Sequence, residues 1–195
     1  MVPVTPLRTA LRASLEQEPA PTLTPPDRLA AVLAPLVELP EASLVFTVRS
    51  SDMSRHAGEI SFPGGLQDPG ETLSQTALRE AFEEIGLDPG TTEVVGALPP
   101  VHTTVSGILI VPFVGMLESL PAFVVSEGEI EEVLTFTVAS LAEVERPVEV
   151  AREPGRVWHG FAYELDGYMI WGATGWMLHA LLEIIRKEAS WLIPT

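Results

Sequence analysis

Three carboxylates crowd one turn of the stretch REAFEEIG, residues 79–86: Glu80, Glu83 and Glu84. Like charges at helical neighbour spacing repel by roughly 0.2–0.5 kcal/mol per pair. At about 100° per residue, with Glu80 at zero, Glu84 falls near ~40° and Glu83 near ~−60°, so the three share a face. Leu78, Phe82 and Ile85 fall near ~160°, ~200° and ~140° and are expected to form the buried stripe. The carboxylates stand toward the end of the helix that disfavours negative charge, and no Lys lies four residues on to neutralise them. One reading is a solvated acidic face. The other is a cation held among the three, because oxygen ligands so spaced suit Mg²⁺ or Mn²⁺, completed by substrate phosphate and water.

Charge bears on that choice. The chain has 27 acidic and 11 basic residues, a net charge of −16. It has no electrostatic reason to bind a nucleic-acid backbone or an anionic membrane. A phosphorylated small molecule could approach only where bound cations reverse the local field. With no cysteine, disulfides and thiolate metal sites are excluded. No apolar stretch reaches signal-peptide or membrane-span length without interruption, so a soluble, cytoplasmic protein is expected. Oligomeric state is not legible.

The carboxylate turn belongs to helix 72–86, ended by Gly86. The turn FPGG (62–65) precedes it, and Gly64-Gly65 permits close backbone approach to a ligand. SLVFTVRS (43–50), TEVVGAL (92–98), GILIVPFVGML (107–117) and AFVVS (122–126) read as strands. Pro112 suggests a bulge or an edge. LAAVLAPLVEL (29–39) is ambiguous between helix and buried strand, with Pro35 against a continuous helix. VLTFTVASL (133–141) mixes a strand with the start of a helix. Residues 156–172 read as a hairpin turning at Asp166-Gly167, and 174–189 as an amphipathic helix. Its stripe of Leu178, Leu181, Leu182 and Ile185 is helix packing or a dimer face. Residues 5–17 form a short helix capped by Thr5, and PAPTLTPP (19–26) is a linker that leaves this helix as an appendage. The organisation expected is an N-terminal helix and Pro-rich linker (1–26) followed by one domain (27–195). Its class is α/β (α+β), with strands and interspersed helices.

Gly65, Glu71, Arg79, Glu80, Glu83, Glu84 and Gly86 spell G-x5-E-x7-R-E-x2-E-E-x-G. This resembles the box of the Nudix hydrolases, with Ala81 and Leu87 at its apolar positions. The resemblance implies an α/β/α sandwich with a mixed β-sheet and a loop–helix–loop catalytic motif. It also implies hydrolysis of a nucleoside diphosphate linked to another moiety. Glu80, Glu83 and Glu84 would bind the metal, Mg²⁺ or Mn²⁺, while Arg79 and Glu71 would pair to orient them. The preceding stretch, VFTVRSSDMSRHAGEISFPGG (45–65), is similar to the signature of the coenzyme A pyrophosphatase branch at Thr47, Arg49, Ser50, Gly58, Phe62, Pro63, Gly64 and Gly65. The pattern has Arg where this chain has Ser54, and Arg55 stands one residue later.

What that branch implies is cleavage of coenzyme A, or a derivative, to 3′,5′-ADP and 4′-phosphopantetheine. Arg49, Ser50, Arg55, His56, Phe62, Gly64 and Gly65 would contact substrate. Either Arg could hold phosphate bidentately or merely pair with surface Glu. Catalysis would fall to Glu83, Glu84, Arg79 and Glu71. Glu129, in SEGEIEE, would be an extra ligand or base, with Glu127, Glu131 and Glu132 as competitors for that place. The aromatics of 158–171 offer a base-stacking surface or core. Three other readings stay open: a Nudix pyrophosphatase for ADP-ribose, a dinucleotide or a nucleoside triphosphate; a binding module that has lost catalysis; and an acidic protein-interaction face.

Overall fold

The computed structural model describes residues 5–21, 28–38, 41–51, 58–103, 107–153 and 156–193. Helix α1 (Pro6–Ser14) leads to strands β1 (Arg28–Val37), β2 (Ser43–Arg49), β3 (Ile60–Ser61) and β4 (Gly64–Leu66). Helix α2 (Leu73–Ile85) is followed by β5 (Glu93–Ala97), β6 (Val101–Thr103), β7 (Ile108–Leu117) and β8 (Ile130–Thr137). Then come α3 (Val138–Val144), β9 (Arg146–Glu153), β10 (Arg156–Leu165), β11 (Tyr168–Ile170) and α4 (Gly172–Glu188).

The centre of the main sheet is a parallel pair, β1 against β7, from Arg28↔Ile108 to Val37↔Leu117. Around it the pairings are antiparallel, in the order β3-β2-β1-β7-β5, with β4 on β1, β6 on β7 and β8 on β2. Strands β9, β10 and β11 form a second, antiparallel sheet. Because side chains alternate along a strand, β1 feeds two cores. Val32, Ala34 and Leu36 face α1, α3 and α4, joining Leu11, Leu141, Leu181 and Ile185. Ala31, Leu33 and Val37 face α2, joining Ala77, Ala81 and Ile85. The result is a mixed sheet between helical layers, the sandwich the sequence implied.

The ambiguous run 29–39 is strand β1. Its two apolar faces are both covered, so it lacks the alternation of a half-exposed strand. Pro35 lies between the β4 pairing at Ala30–Val32 and the β2 pairing at Leu36–Val37, where no ladder needs its missing N–H. Pro112 does the same on β7, between the β6 pairing at Ile110 and the β5 pairing at Phe113. It marks neither an edge nor a bulge of its own strand; the irregularity opposite lies on β5, between Val94 and Gly96.

Two further expectations are corrected, and one open choice is decided. AFVVS is not a strand: residues 120–126 run without regular structure, with Val124 N–H on the Ile85 carbonyl (3.0 Å) and Ser126 N–H on the Glu84 carbonyl (2.9 Å). The N-terminal helix is not an appendage. Leu7 and Leu11 are 1% exposed, Arg8 Nη1 pairs with Glu93 Oε2 at 2.6 Å, Arg12 also pairs with Glu93, and Ala97 N–H donates to the Glu16 carbonyl. The Leu178, Leu181, Leu182 and Ile185 stripe is fully buried within the molecule, so it is packing and not a dimer face. No helix among the described residues is long and apolar enough to cross a membrane.

Candidate active site

Thr72 starts α2 with a capping box: its hydroxyl accepts from Gln75 N–H, and the Gln75 side chain accepts from Thr72 N–H. Such a pair satisfies two otherwise orphan donors. Gly86, at φ 68°, ends the helix in the left-handed region, where a Cβ is disfavoured. The face that meets the sheet is Leu73, Ala77, Ala81, Glu84 and Ile85. These occupy an arc of about 120° at ~100° per residue. The expected stripe of Leu78, Phe82 and Ile85 is therefore wrong in part, since Phe82 is 54% exposed. Small Ala77 and Ala81 let the helix lie close on β1 and β4, and that closeness, more than side-chain bulk, sets the buried side.

One consequence is that the three carboxylates do not form a single solvent-facing row. Glu84 is almost wholly buried, Glu80 is largely covered, and Glu83 is half exposed. Glu84 Oε2 accepts from Gly64 N–H at 3.1 Å, while its Oε1 lies 3.7 Å from Arg49 Nη1. Burial pushes the Glu84 carboxyl up to about 7; the Gly64 N–H and the Arg49 charge oppose that, and Glu80 and Glu129 add to it. Glu80 is also raised, first by burial, with Glu83 and Glu129 contributing. The Glu80 carboxylate lies directly over Gly65, where a Cβ would stand 2.5 Å from its carboxyl carbon. At Gly64 a Cβ would strike the β1 backbone at Val32. The two glycines are thus required by close approach on opposite sides of β4.

Arg79 holds the turn together. Its Nε donates to Glu71 Oε1 at 2.7 Å, its Nη1 to Glu80 (2.9 Å) and Glu83 (3.0 Å), and its Nη2 to the Leu66 carbonyl (3.2 Å). Glu71 also accepts from Thr76 Oγ1 and Asp68 N–H. The hydrogen bond from Arg79, with those two donors, holds the Glu71 carboxyl at about 2 against its burial. The missing Lys is therefore answered by an Arg within the turn. Among the described residues no three acidic or His side chains converge to hold an ion as they stand, because the guanidinium occupies the space between Glu80 and Glu83. The donor chemistry nevertheless suits a hard divalent cation: all the donors are carboxylate oxygens, and burial of Glu84 and partial burial of Glu80, with the repulsion between them, disfavour their negative charge despite the guanidinium groups of Arg79 and Arg49.

The remaining residues fall in several places. Glu129 is exposed, and its charge is felt by both Glu80 and Glu84. Two of its three competitors are engaged elsewhere: Glu131 accepts from Ser51 N–H (3.2 Å) and Glu132 from Tyr168 Oη (2.6 Å). Ser50 is buried, with its N–H on the Glu129 carbonyl at 2.8 Å. Phe62, expected at substrate, is instead 1% exposed and stacked on Phe46 at 4.8 Å. It anchors the turn to the opposite core. Arg55 and His56 lie outside the described residues. Of the aromatics, Tyr163 is buried with its hydroxyl on Glu145 (2.5 Å), and Phe161 stacks on His179 at 3.5 Å. Both belong to the core on the α4 side of the sheet, not the α2 side. Sequence reasoning missed Ser126, whose backbone touches the helix end; the only signal was the turn-forming Ser126-Glu127-Gly128.

The family model for the NUDIX domain matches residues 27–156. The chain belongs to the Nudix family. Its similarity extends to curated relatives named "Uncharacterized Nudix hydrolase NudL": one from Escherichia coli is 37% identical over 159 residues, covering 79% of this chain and 81% of the relative. Another, from Shigella flexneri serotype 5b, is 35% identical over 176 residues, covering 88% and 87%. Among solved structures, the Nudix hydrolase RenU from M. smegmatis superposes with a TM-score of 0.52 at 21% identity, over 60% of this chain and 74% of that one. A MutT/nudix family protein from Enterococcus faecalis gives 0.51 at 15% identity, over 86% and 62%. These likenesses support the fold. Nudix hydrolases as a family are pyrophosphohydrolases that use divalent metal ions.

Proposed function

We propose that this Nudix chain hydrolyses the diphosphate of coenzyme A or a derivative, giving 3′,5′-ADP and 4′-phosphopantetheine. One observation carries the reading. The stretch that resembles the coenzyme A branch ends in Gly64-Gly65, and those two residues touch Glu84 and Glu80. The same stretch supplies Arg49, 3.7 Å from Glu84. At Gly64, Gly65 and Arg49 the described part of that stretch meets the carboxylate turn.

Glu80, Glu83 and Glu84 would hold the divalent cation, Mg²⁺ or Mn²⁺. When bound, it supplies charge neutralisation for the diphosphate and a more acidic attacking water. The chain's own residues do the rest. Arg79, fixed by Glu71, orients Glu80 and Glu83. Gly64 N–H fixes Glu84, and Arg49 offers a guanidinium to a phosphate oxygen. A carboxylate oxygen, on Glu129 in this reading, takes the proton of the water as its oxygen bonds to phosphorus. The bridging P–O bond breaks, and the bridging oxygen leaves with the second phosphate.

The test is product analysis after incubation with coenzyme A and Mn²⁺, beside ADP-ribose, a dinucleotide and a nucleoside triphosphate. The reading expects 3′,5′-ADP and phosphopantetheine in equal amounts and slower turnover of the others. Faster turnover of another substrate would move the specificity. Binding without product would make the chain an inactive module.

A further inference from the structure

The connection from β7 to β8, residues 118–129, is bonded to the end of the carboxylate helix through its backbone. Val124 N–H donates to the Ile85 carbonyl at 3.0 Å and Ser126 N–H to the Glu84 carbonyl at 2.9 Å. The last carbonyls of a helix have no partner within it, so this strap supplies two of them. Phe123 packs against the core on the α2 side. The absence of a side chain at Gly86 leaves room for the strap, since a Cβ there would stand 3.2–3.4 Å from Val124 atoms.

Ser126 does more than cap. Its carbonyl accepts from Glu129 N–H at 3.2 Å and from Ile130 N–H at 3.1 Å. The main chain of one residue therefore joins the Glu84 carbonyl to the Glu129 amide, with one hydrogen bond on each side. The Glu129 carbonyl is pinned in turn by Ser50 N–H, from the strand that ends in Arg49. Nothing in the Ser126 side chain is needed for this.

We infer that Ser126, through its backbone, is a positioning residue that sets the place of Glu129 relative to Glu84. The inference rests on the hydrolase reading for its kinetic consequence. Any shift of the helix end is passed to Glu129, and the reverse holds. Loss of the Ser126 N–H uncouples Glu129 from the helix end, so that its place is no longer set relative to Glu84, and leaves Arg49 in place. It should lower kcat and leave KM nearly unchanged.

Ser126→Pro removes the N–H. Val124→Pro removes the outer tether and serves as the second variant should the first fail to fold. Each is made alone and together with Glu129→Gln. For the Pro variants kcat is expected to fall about 10- to 100-fold with KM within about twofold, the range that misplaced catalytic groups show. In the Glu129→Gln background the same Pro substitution should change kcat by less than about twofold, since the positioned group is already gone. Equal losses in both backgrounds, or a Glu129→Gln enzyme as fast as the parent, overturn the inference. Hydrogen exchange at the Glu129 amide is read in parallel and does not depend on turnover. That amide bonds the residue-126 carbonyl, which proline retains, so protection that falls in Ser126→Pro reports the untethered strap; it supports the strap even if no diphosphate is cleaved, which would refute the hydrolase reading alone. Unchanged protection overturns the strap.

Discussion

Replacing Glu84 by Gln should stabilise the metal-free protein while nearly abolishing its hydrolase activity. Gln keeps the shape and an oxygen for Gly64 N–H, but removes a charge from a position 7% exposed that lies 3.7 Å from the Arg49 guanidinium. In the native state burial raises this carboxyl from 4.5 to about 7. A raised folded pKa means that the native state holds the proton more tightly than the unfolded chain. The stabilisation is complete below about pH 4.5 and is lost as pH rises through about 7. At about 1.4 kcal/mol per unit, the ionised carboxylate costs the native state about 3 kcal/mol at pH 8. Urea unfolding in the presence of chelator, at pH 5 and pH 8, measures it. The variant should exceed the parent by about 2–3 kcal/mol at pH 8 and by little at pH 5. A variant equal to the parent at pH 8, or a gap of the same size at both pH values, would refute the reasoning.

Other substitutions probe the rest of the frame. Gly65→Ala places a methyl on the Glu80 carboxylate, so metal-dependent turnover should fall more than about tenfold while circular dichroism is unchanged, the scale expected when a catalytic group is displaced. Arg79→Lys keeps a charge but cannot span Glu71, Glu80 and Glu83 together; kcat should drop about 10- to 100-fold. Leu11→Ala, in the N-terminal helix, should lower the unfolding free energy of the whole domain by about 2–4 kcal/mol, measured in urea. At Glu145, burial pushes the carboxyl up, but donors on Tyr163 and His179 and the Arg186 charge outweigh it and hold it below its ordinary value. A lowered folded pKa contributes stability above the unfolded value that is lost as pH falls through the folded one. Urea unfolding below pH 4.5 should therefore show a smaller acid loss for Glu145→Gln than for the parent.

Legibility followed periodicity. Strands β2 and β7, helix α2 and the Asp166-Gly167 hairpin could be read because their branched residues, caps and turn residues agree. Asp166 (φ 53°) and Gly167 (φ 84°) have the positive angles such a turn demands. Strand β9 was hidden in ERPVEVARE, where charge outweighs the β signal. The stretch 122–126 has strand composition but meets a helix end, not a sheet, and only tertiary structure decides that. On α2, spacing located the carboxylates, but bulk misled: Phe82 faces outward and Glu84 inward, because alanines sit where the helix touches the sheet. Phe62 shows the same limit from the other side. A motif position adjacent to a ligand site is read as contact, yet its ring stacks in the core. Gly64 and Gly65 were read as positions of close approach to a ligand; that Gly64 lies against the β1 backbone and Gly65 against the Glu80 carboxylate was not legible.

The central pairing of β1 with β7 has a consequence for how the molecule comes into being. Each partner stands eighty positions further along the chain, 28 with 108 and 37 with 117. On a ribosome, the first of these strands must wait, both apolar sides uncovered, until the second has left the exit tunnel. Closing so long a loop before any reward makes for slow maturation. The prolines Pro35 and Pro112, set in those two strands, interrupt what would otherwise be long sticky ribbons during that wait.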